Sequence, residues 1–149
     1  MMMKMFKVLA VLSLVFLSGC SLLEGVNSSL QYANDTKDYI NEASAFAEEL
    51  PALAEEAVNN EEARAELAQS LNDMKEEINT FKETEAPEIA LDAHNQLVSY
   101  SETLESGIDS ALEQIKNGDW NIQLLEDSEI VKTVSEMKGI LDQIEQLGS

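Results

Sequence analysis

The sequence contains a single cysteine, Cys20, among its 149 residues. A disulfide needs two cysteines, so no bond within this chain can hold the fold together, and stability must come from packing. Proline is also rare, since only Pro51 and Pro87 can interrupt a helix or strand by removing a backbone donor. The single histidine, His94, excludes metal centres and catalytic groups that need two histidines.

Basic residues are scarce as well. The chain has 9 Lys and Arg against 29 Asp and Glu, for a formal net charge of −20. Binding to a phosphate backbone relies on clustered Lys and Arg that release counterions, and the few basic residues here are scattered. The composition therefore excludes nucleic acid as a partner. It also predicts repulsion between the protein surface and anionic lipid headgroups.

A long apolar run is also lacking. The apolar stretch from Val8 to Leu17 is well short of the roughly 20 residues that a membrane-spanning helix needs. Lys4 and Lys7 precede this stretch and small residues follow it, which is the layout of a secretory signal. Residues 1–19 are therefore predicted to be an export signal that is removed from the mature chain.

Cys20 ends the tetrapeptide "LSGC", which resembles the bacterial lipobox. The resemblance implies that the Cys20 thiol receives a diacylglyceryl group, that signal peptidase II cuts before it, and that Cys20 becomes the N-terminus. One acyl chain holds a protein only marginally, whereas two or more anchor it stably. We therefore expect a lipid-anchored protein on the extracytoplasmic face of the cell membrane. Cleavage removes Lys4 and Lys7, leaving 7 basic and all 29 acidic residues, a formal charge of −22.

Beyond residue 29, apolar residues recur at three- and four-residue steps, a spacing typical of amphipathic helices. No window alternates with a period of two for long enough to predict a strand. Short connections favour an all-α antiparallel bundle of about four amphipathic helices, and an extended pair of coiled-coil hairpins is the alternative. The four apolar stripes are Leu30, Ala33, Ile40, Ala43, Ala47 and Leu50; Ala63, Leu67, Leu71, Met74, Ile78 and Phe81; Ala90, Ala93, Leu97, Tyr100, Leu104, Ile108, Leu112 and Ile115; and Ile130, Val134, Met137, Leu141, Ile144 and Leu147.

Prolines, a glycine and short polar residues mark the expected boundaries of these helices. The expected boundaries are a new helix starting at Pro51, a break or a bend at Asn59-Asn60, a third helix opening at Pro87, an end at Asn117-Gly118, and a fourth helix starting after Asp127 or Ser128. The predicted organisation is a lipoprotein signal peptide over residues 1–19, a lipidated N-terminus and short flexible tether over 20–29, and one acidic helical domain over 30–149.

Aromatic residues are few, and their positions favour structural roles. Tyr32, Tyr39 and Phe46 lie seven residues apart beside the first stripe, so we expect them in the core. The only tryptophan, Trp120, lies in the connection "NGDWNIQ", where we expect it to cap one end of the core.

The sequence contains no complete catalytic or metal-binding pattern. A ferritin-like metal site requires Glu three residues before each His, whereas Leu91 precedes His94 at that spacing. We therefore expect His94 to be a partly exposed helix residue. A calcium loop starting at Asn117 fails because its sixth residue is Ile122 rather than Gly and its twelfth is Ser128 rather than Glu. We expect no catalytic residue, cofactor or metal, and hence no enzyme.

Two stretches carry a wider resemblance. "SGCSLLEGVNSSLQYANDTKDYINEASAFAEELPALAEEAV" and "APEIALDAHNQLVSYSETLESGIDS" are similar to small lipoproteins of Bacillus-type Gram-positive bacteria that form a family of unknown function. The resemblance implies a location and no reaction, and no functional residue is carried over from it.

Two non-enzymatic functions follow from these observations. The first is a membrane-anchored binding or structural module that presents its acidic helical surface to an envelope protein or a cell-wall component. The alternative is a carrier that holds an apolar small ligand between its helices. The sequence leaves the partner, the ligand and the oligomeric state open.

Overall fold

The computed structural model describes the backbone of residues 2–148 and the surroundings of residues 25 and 27–148. Cys20 and the predicted signal peptide therefore lie outside the residues whose side chains are described. The described backbone contains helices and no strand, which confirms the predicted all-α class. Its elements are α1 Met2–Ala57, α2 Glu61–Lys82, a 3-10 turn Glu88–Ala90, α3 Leu91–Asn117, α4 Ile122–Asp127, α5 Ile130–Lys138 and α6 Leu141–Leu147.

Helix α1 continues past two positions where the sequence suggests a change. It passes through residues 20–29, the expected flexible tether, because that segment has no proline and a single glycine. It also contains Pro51, so the expected helix start at Pro51 is wrong. A proline removes one backbone hydrogen bond, and the burial of Ala54 and Ala57 keeps the next turns packed on the core. The domain boundaries at residues 19 and 29 stay predictions.

The helix is interrupted at Asn59-Asn60, between the end of α1 and the start of α2. The Asn60 Oδ1 atom accepts hydrogen bonds from the backbone N–H groups of Glu62 and Ala63, at 3.0 and 3.4 Å, and so caps α2. At the other side of the turn, Arg64 Nε donates to the Ala57 carbonyl at 2.9 Å. This bond satisfies one of the carbonyls that the end of α1 leaves free.

The second apolar stripe is buried as predicted, and so is the third except for Tyr100, Leu112 and Ile115, which are only partly buried. Helix α3 ends at Gly118, whose φ of 77° is left-handed and is adopted by glycine without strain, so the predicted end at Asn117-Gly118 is confirmed. The buried stripe residues are Ala63, Leu67, Leu71, Met74, Ile78 and Phe81 from α2, and Ala93, Leu97, Leu104 and Ile108 from α3, with Ala90 buried just before α3.

The fourth predicted helix is divided, so the prediction of one continuous helix is wrong. Helix α5 ends at Lys138 and α6 begins at Leu141, and the N–H groups of Gly139 and Ile140 bond to carbonyls three residues back. Glycine favours this break because its intrinsic helix preference is low. The preceding connection also contains an additional short helix, α4. The stripe still identifies the buried face correctly at Ile130, Val134, Met137 and Ile144.

The helices pack as an antiparallel bundle rather than as two extended hairpins. Helix α1 contacts α2, α2 contacts α3, α3 contacts α5, and both α5 and α6 contact α1, which places α1 and α3 on a diagonal. We call the end where α1 joins the bundle, with Leu30, Phe81 and His94, the near end. The opposite end, with Ala57 and Trp120, is the far end.

Candidate functional site

The exposed large apolar side chains of the described residues lie at the two ends of the bundle. Single exposed apolar residues are ordinary on protein surfaces, but neighbouring ones mark interaction sites. The exposed residues are Leu30, Ile89 and Leu91 at the near end, and Val58, Ile122 and Val131 at the far end.

At the far end, apolar side chains line a groove of about 430 Å³. Ile122 and Val131 are 40% and 46% exposed, and Leu125 and Ile130 are buried beneath them. The apolar part of the groove also includes Pro51 of α1. Its remaining lining is charged, with Glu126, Glu129 and Lys132. We call this feature the far-end groove.

The backbone between α4 and α5 is fixed closely against α3, and this positions the groove. Glu129 has a φ of 58°, a left-handed conformation that is unfavourable for a residue with a side chain. Ser128 Oγ donates to the Leu125 carbonyl at 2.6 Å and closes the turn. On α3, a Cβ added at Gly107 would lie 2.9 Å from both the Ser128 carbonyl oxygen and Ile130 Cγ1. Only glycine therefore allows this approach.

Trp120 closes the core beside the groove. Its ring is buried, and its Nε1 donates to the Ala54 carbonyl, near the end of α1, at 3.2 Å. This confirms the prediction that Trp120 caps the core. It also explains how the connection after α3 is held against α1.

The near end contains two buried hydrogen bonds across the diagonal between α1 and α3. The Tyr32 hydroxyl lies 3.0 Å from His94 Nδ1, and the Tyr39 hydroxyl lies 2.7 Å from Ser101 Oγ. Tyr39 also stacks on Phe81, with ring centroids 4.3 Å apart and planes 4° from parallel. The expected core positions of Tyr32 and Tyr39 are confirmed, as is that of Phe46.

His94 is only 9% exposed, so the expectation of a partly exposed residue is wrong. Its ring packs against Tyr32 and Phe81, with centroid distances of 5.8 and 5.2 Å. Burial lowers the pKa of His94 below its ordinary value. Burial likewise raises the pKa of Tyr39 to about 12. Both rings are therefore kept neutral near pH 7, and they act as hydrogen-bonding core residues.

A signal for this arrangement is present in the sequence. His94 and Ser101 are seven residues apart on α3, as Tyr32 and Tyr39 are on α1. The shared spacing matches two turns of helix, but a single sequence does not show which helices pair.

An acidic groove of about 490 Å³ lies between α1 and α2. Phe46 and Met74 contribute apolar surface to it, and within the described residues its charged lining is entirely acidic. Burial, together with hydrogen bonding to Glu77 and the charges of Glu77 and Asp38, raises the pKa of Glu42. The acidic residues that line the groove are Glu42, Glu49, Glu66, Asp73 and Glu77.

These carboxylates do not converge. Among the described side chains, no group of three or more His, Cys, Asp or Glu residues is arranged to hold a metal ion. The expectation that the chain is not an enzyme stays a prediction. Over the same part of the chain, no helix combines the length and apolar character needed to cross a bilayer.

Comparisons with known proteins find a matching family model and a lipoprotein relative. A family model described as "Family of unknown function (DUF6376)" matches residues 32–147. An "Uncharacterized lipoprotein YybP" from Bacillus subtilis (strain 168) is 33% identical over 141 residues, which cover 95% of each chain. No solved structure matches. The predicted resemblance to a lipoprotein family of unknown function is confirmed, and the chain belongs to the DUF6376 family.

Proposed function

We propose that this chain is a non-enzymatic docking module of the cell envelope, anchored by lipid at Cys20 on the extracytoplasmic face of the membrane. The far-end groove binds an envelope protein through a segment that combines apolar and basic side chains. The observation that carries the proposal is the exposure of Ile122 and Val131 beside the groove. Exposed apolar surface with a polar rim is characteristic of protein interaction sites.

The position of the groove supports a partner beyond the membrane surface. Helix α1 is continuous from Cys20 to Pro51, and an α-helix rises about 1.5 Å per residue. The far-end groove therefore lies about 45 Å along the helix from the predicted anchor. At that distance the groove faces the ectodomains of other envelope proteins. Anchoring both molecules to one membrane raises their local concentration, so a weak contact suffices.

The charges around the groove define the partner further. Lys132 Nζ lies 3.4 Å from Glu129 Oε1, so the basic rim residue is already paired with an acidic one. Glu126 adds a further carboxylate to the lining, and the whole chain has a charge of −20. These charges favour a basic partner surface, and the attraction falls as salt screens it over about 8–10 Å.

The carrier alternative is less well supported because it requires space between the helices. The centre of the bundle is occupied by fully buried side chains from α1, α2 and α3, among them Ile40, Leu71 and Leu104. The far-end groove opens at the surface instead. A segment of a partner protein can enter an open surface groove, whereas a carrier must enclose its small ligand.

The proposal is tested by photocrosslinking in intact cells, with the full-length lipidated chain carrying a photoreactive residue at position 131. The matched control carries it at Ala65, an exposed position on α2. We expect position 131 alone to capture one envelope protein, through a segment with Lys or Arg beside apolar residues. Ile122→Asp should abolish this capture.

Three results would contradict the proposal. They are equal capture from positions 131 and 65, capture of a second copy of this chain, and release of one stoichiometric apolar molecule on solvent extraction of the purified protein. The last result would establish the carrier instead.

A further inference from the structure

The near end has three large apolar side chains that are exposed, Leu30, Ile89 and Leu91, which we call the near tip. Ile89 is 72% exposed, and Leu30 and Leu91 are 43% and 44% exposed. Ile89 lies in the 3-10 turn Glu88–Ala90, whose N–H of Ala90 bonds to the Pro87 carbonyl at 2.8 Å. Ala90 itself is buried. The exposure of Ile89 is therefore fixed by a closed turn that is attached to the core.

The register of the bundle places the near tip close to Cys20. Tyr32 and His94 are 62 residues apart, and so are Tyr39 and Ser101, so residues on α3 lie level with α1 residues 62 positions earlier. By this register, Leu91, the first residue of α3, is level with residue 29 of α1, and Ile89 lies in the turn just before it. Cys20 is nine residues before residue 29 in the sequence, and nine residues of α-helix span about 14 Å. The headgroup layer on each side of a bilayer is roughly 5–8 Å thick, so a modest tilt of α1 brings the near tip into it.

We propose that the near tip is a second, noncovalent membrane contact, in which Ile89, Leu91 and Leu30 seat in the interfacial layer of the bilayer that holds Cys20. The inference rests on the lipid anchor of the proposed function and concerns a different surface from the far-end groove. Burial of apolar side chains drives the contact. Because the anchor keeps the near tip at high local concentration beside the bilayer, a small apolar surface is enough. Two attachment points then fix the tilt of the bundle.

The charges near the tip predict which lipids it prefers. Glu85, Glu88 and Asp92 are exposed around the turn. The nearby Lys82 is already paired, with Nζ 2.7 Å from Glu105 Oε2. The contact therefore depends on apolar insertion and is opposed by anionic headgroups. We expect it to be stronger in zwitterionic than in anionic vesicles, with the difference decreasing as salt increases.

The test uses the lipidated full-length protein in phosphatidylcholine vesicles. Lipidation consumes the Cys20 thiol, so a cysteine introduced by Ile89→Cys is the only free thiol and takes an environment-sensitive fluorophore. Val131→Cys at the far end is the matched control, since it also replaces an exposed apolar residue. Phosphatidylcholine with a spin label close to its headgroup should quench the fluorophore at position 89 at least twofold more than at position 131. Adding Ile89→Asp to a Leu91→Cys protein should reduce quenching at position 91 to the control level, with the helical circular dichroism unchanged.

Equal quenching at positions 89 and 131 would overturn the inference. A fluorescence change at position 89 that depends on protein concentration without lipid would also overturn it, in favour of a second copy as the occupant. Mass spectrometry of the same preparation measures the lipid on Cys20. An unlipidated Cys20 would remove the anchor on which the inference rests and would overturn it too. Failure of crosslinking at position 131 would contradict only the far-end groove, so the two proposals fail separately.

Discussion

The two ends of the bundle are stabilised in different ways. The near end is joined through its interior, where Tyr32 and Tyr39 of α1 bond to His94 and Ser101 of α3 across the diagonal. The far end is joined by bonds from side chains to backbone, in which Trp120 and Arg64 donate to the carbonyls of Ala54 and Ala57 in the last turn of α1. Buried polar pairs specify which residues face each other, because a shift in register leaves each group unsatisfied. Ile122 and Val131 stay exposed at the far end, which is where we propose that a partner binds.

The largest change in the free energy of unfolding is expected when a charge is placed within the interior of the near end. Leu97 is fully buried on α3 between His94 and Ser101. Leu97→Asp should destabilise the fold by about 4 kcal/mol or more, because an unpaired carboxylate is buried. Loss of the helical circular dichroism signal in detergent measures this effect. The control, Leu91→Asp, alters an exposed residue and should change stability by less than about 0.5 kcal/mol. Equal effects of the two variants would contradict the described packing of α3.

The next effect concerns the close approach of α3 to the α4–α5 junction. Gly107→Val should cost about 2–3 kcal/mol, because its side chain would overlap the Ser128 carbonyl and Ile130. Displacement of Ile130 should also reduce crosslinking from position 131. Urea titration measures the stability. The control is Gly25→Ala, since a Cβ there meets no atom within 4 Å. A stable Gly107→Val protein with normal crosslinking would show that this contact does not position the groove.

A double-mutant cycle isolates one of the hydrogen bonds within the near end. Tyr39→Phe should cost about 1–2 kcal/mol, because it leaves the Ser101 hydroxyl buried without a partner. Ser101→Ala should cost a similar amount, and the double variant should cost less than the sum of the two. Trp120→Phe serves as the far-end comparison, since it removes the bond to Ala54, and its effect should add to that of Tyr39→Phe. Additive effects of Tyr39→Phe and Ser101→Ala would contradict the bond between the two side chains.

The smallest effect should be the pH dependence caused by His94. Its pKa in the folded state is lowered by burial below the ordinary 6.5. The neutral form is favoured, so His94 contributes stability that is present above a pH of about 6.5 and is lost as the pH falls through the folded pKa. His94→Gln should remove this contribution without reducing crosslinking at position 131. The difference in unfolding free energy between the two proteins, measured from about pH 7.5 down to about pH 5, cancels effects common to both.

A constant difference across that pH range would show that His94 does not titrate differently in the two states. Loss of crosslinking in a folded His94→Gln protein would reopen the possibility that His94 has a direct functional role.

The sequence predicts the features of this fold that depend on local chemistry. Leu67, Leu71 and Ile78 are buried because they repeat along one face of α2, and Gly118 ends α3 because few other residues adopt its φ. The predicted helix start at Pro51 was wrong because packing on neighbouring helices compensates for one lost hydrogen bond.

The missed features depend on contacts between distant residues. His94 is polar, and only its partner 62 residues away explains its burial. The far-end groove combines Pro51 of α1 with Val131 of α5, and the stripes do not show which turns of different helices become neighbours. The sequence therefore predicted the apolar faces, whereas the candidate site depends on how they meet.

The diagonal hydrogen bonds also have a mechanical consequence. With the lipid anchor at Cys20 that we propose, a force pulling the bundle away from the membrane would act along the axis of α1. The Tyr32–His94 and Tyr39–Ser101 bonds both cross from α1 to α3, at points seven residues apart along this axis. A force along the axis therefore loads both bonds in shear at the same time instead of breaking them one after the other. Sliding α1 by one helical turn, about 5.4 Å, would break both bonds and separate the stacked rings of Tyr39 and Phe81. In a lipid-anchored chain, the two bonds would transmit tension from the anchor on α1 to α3.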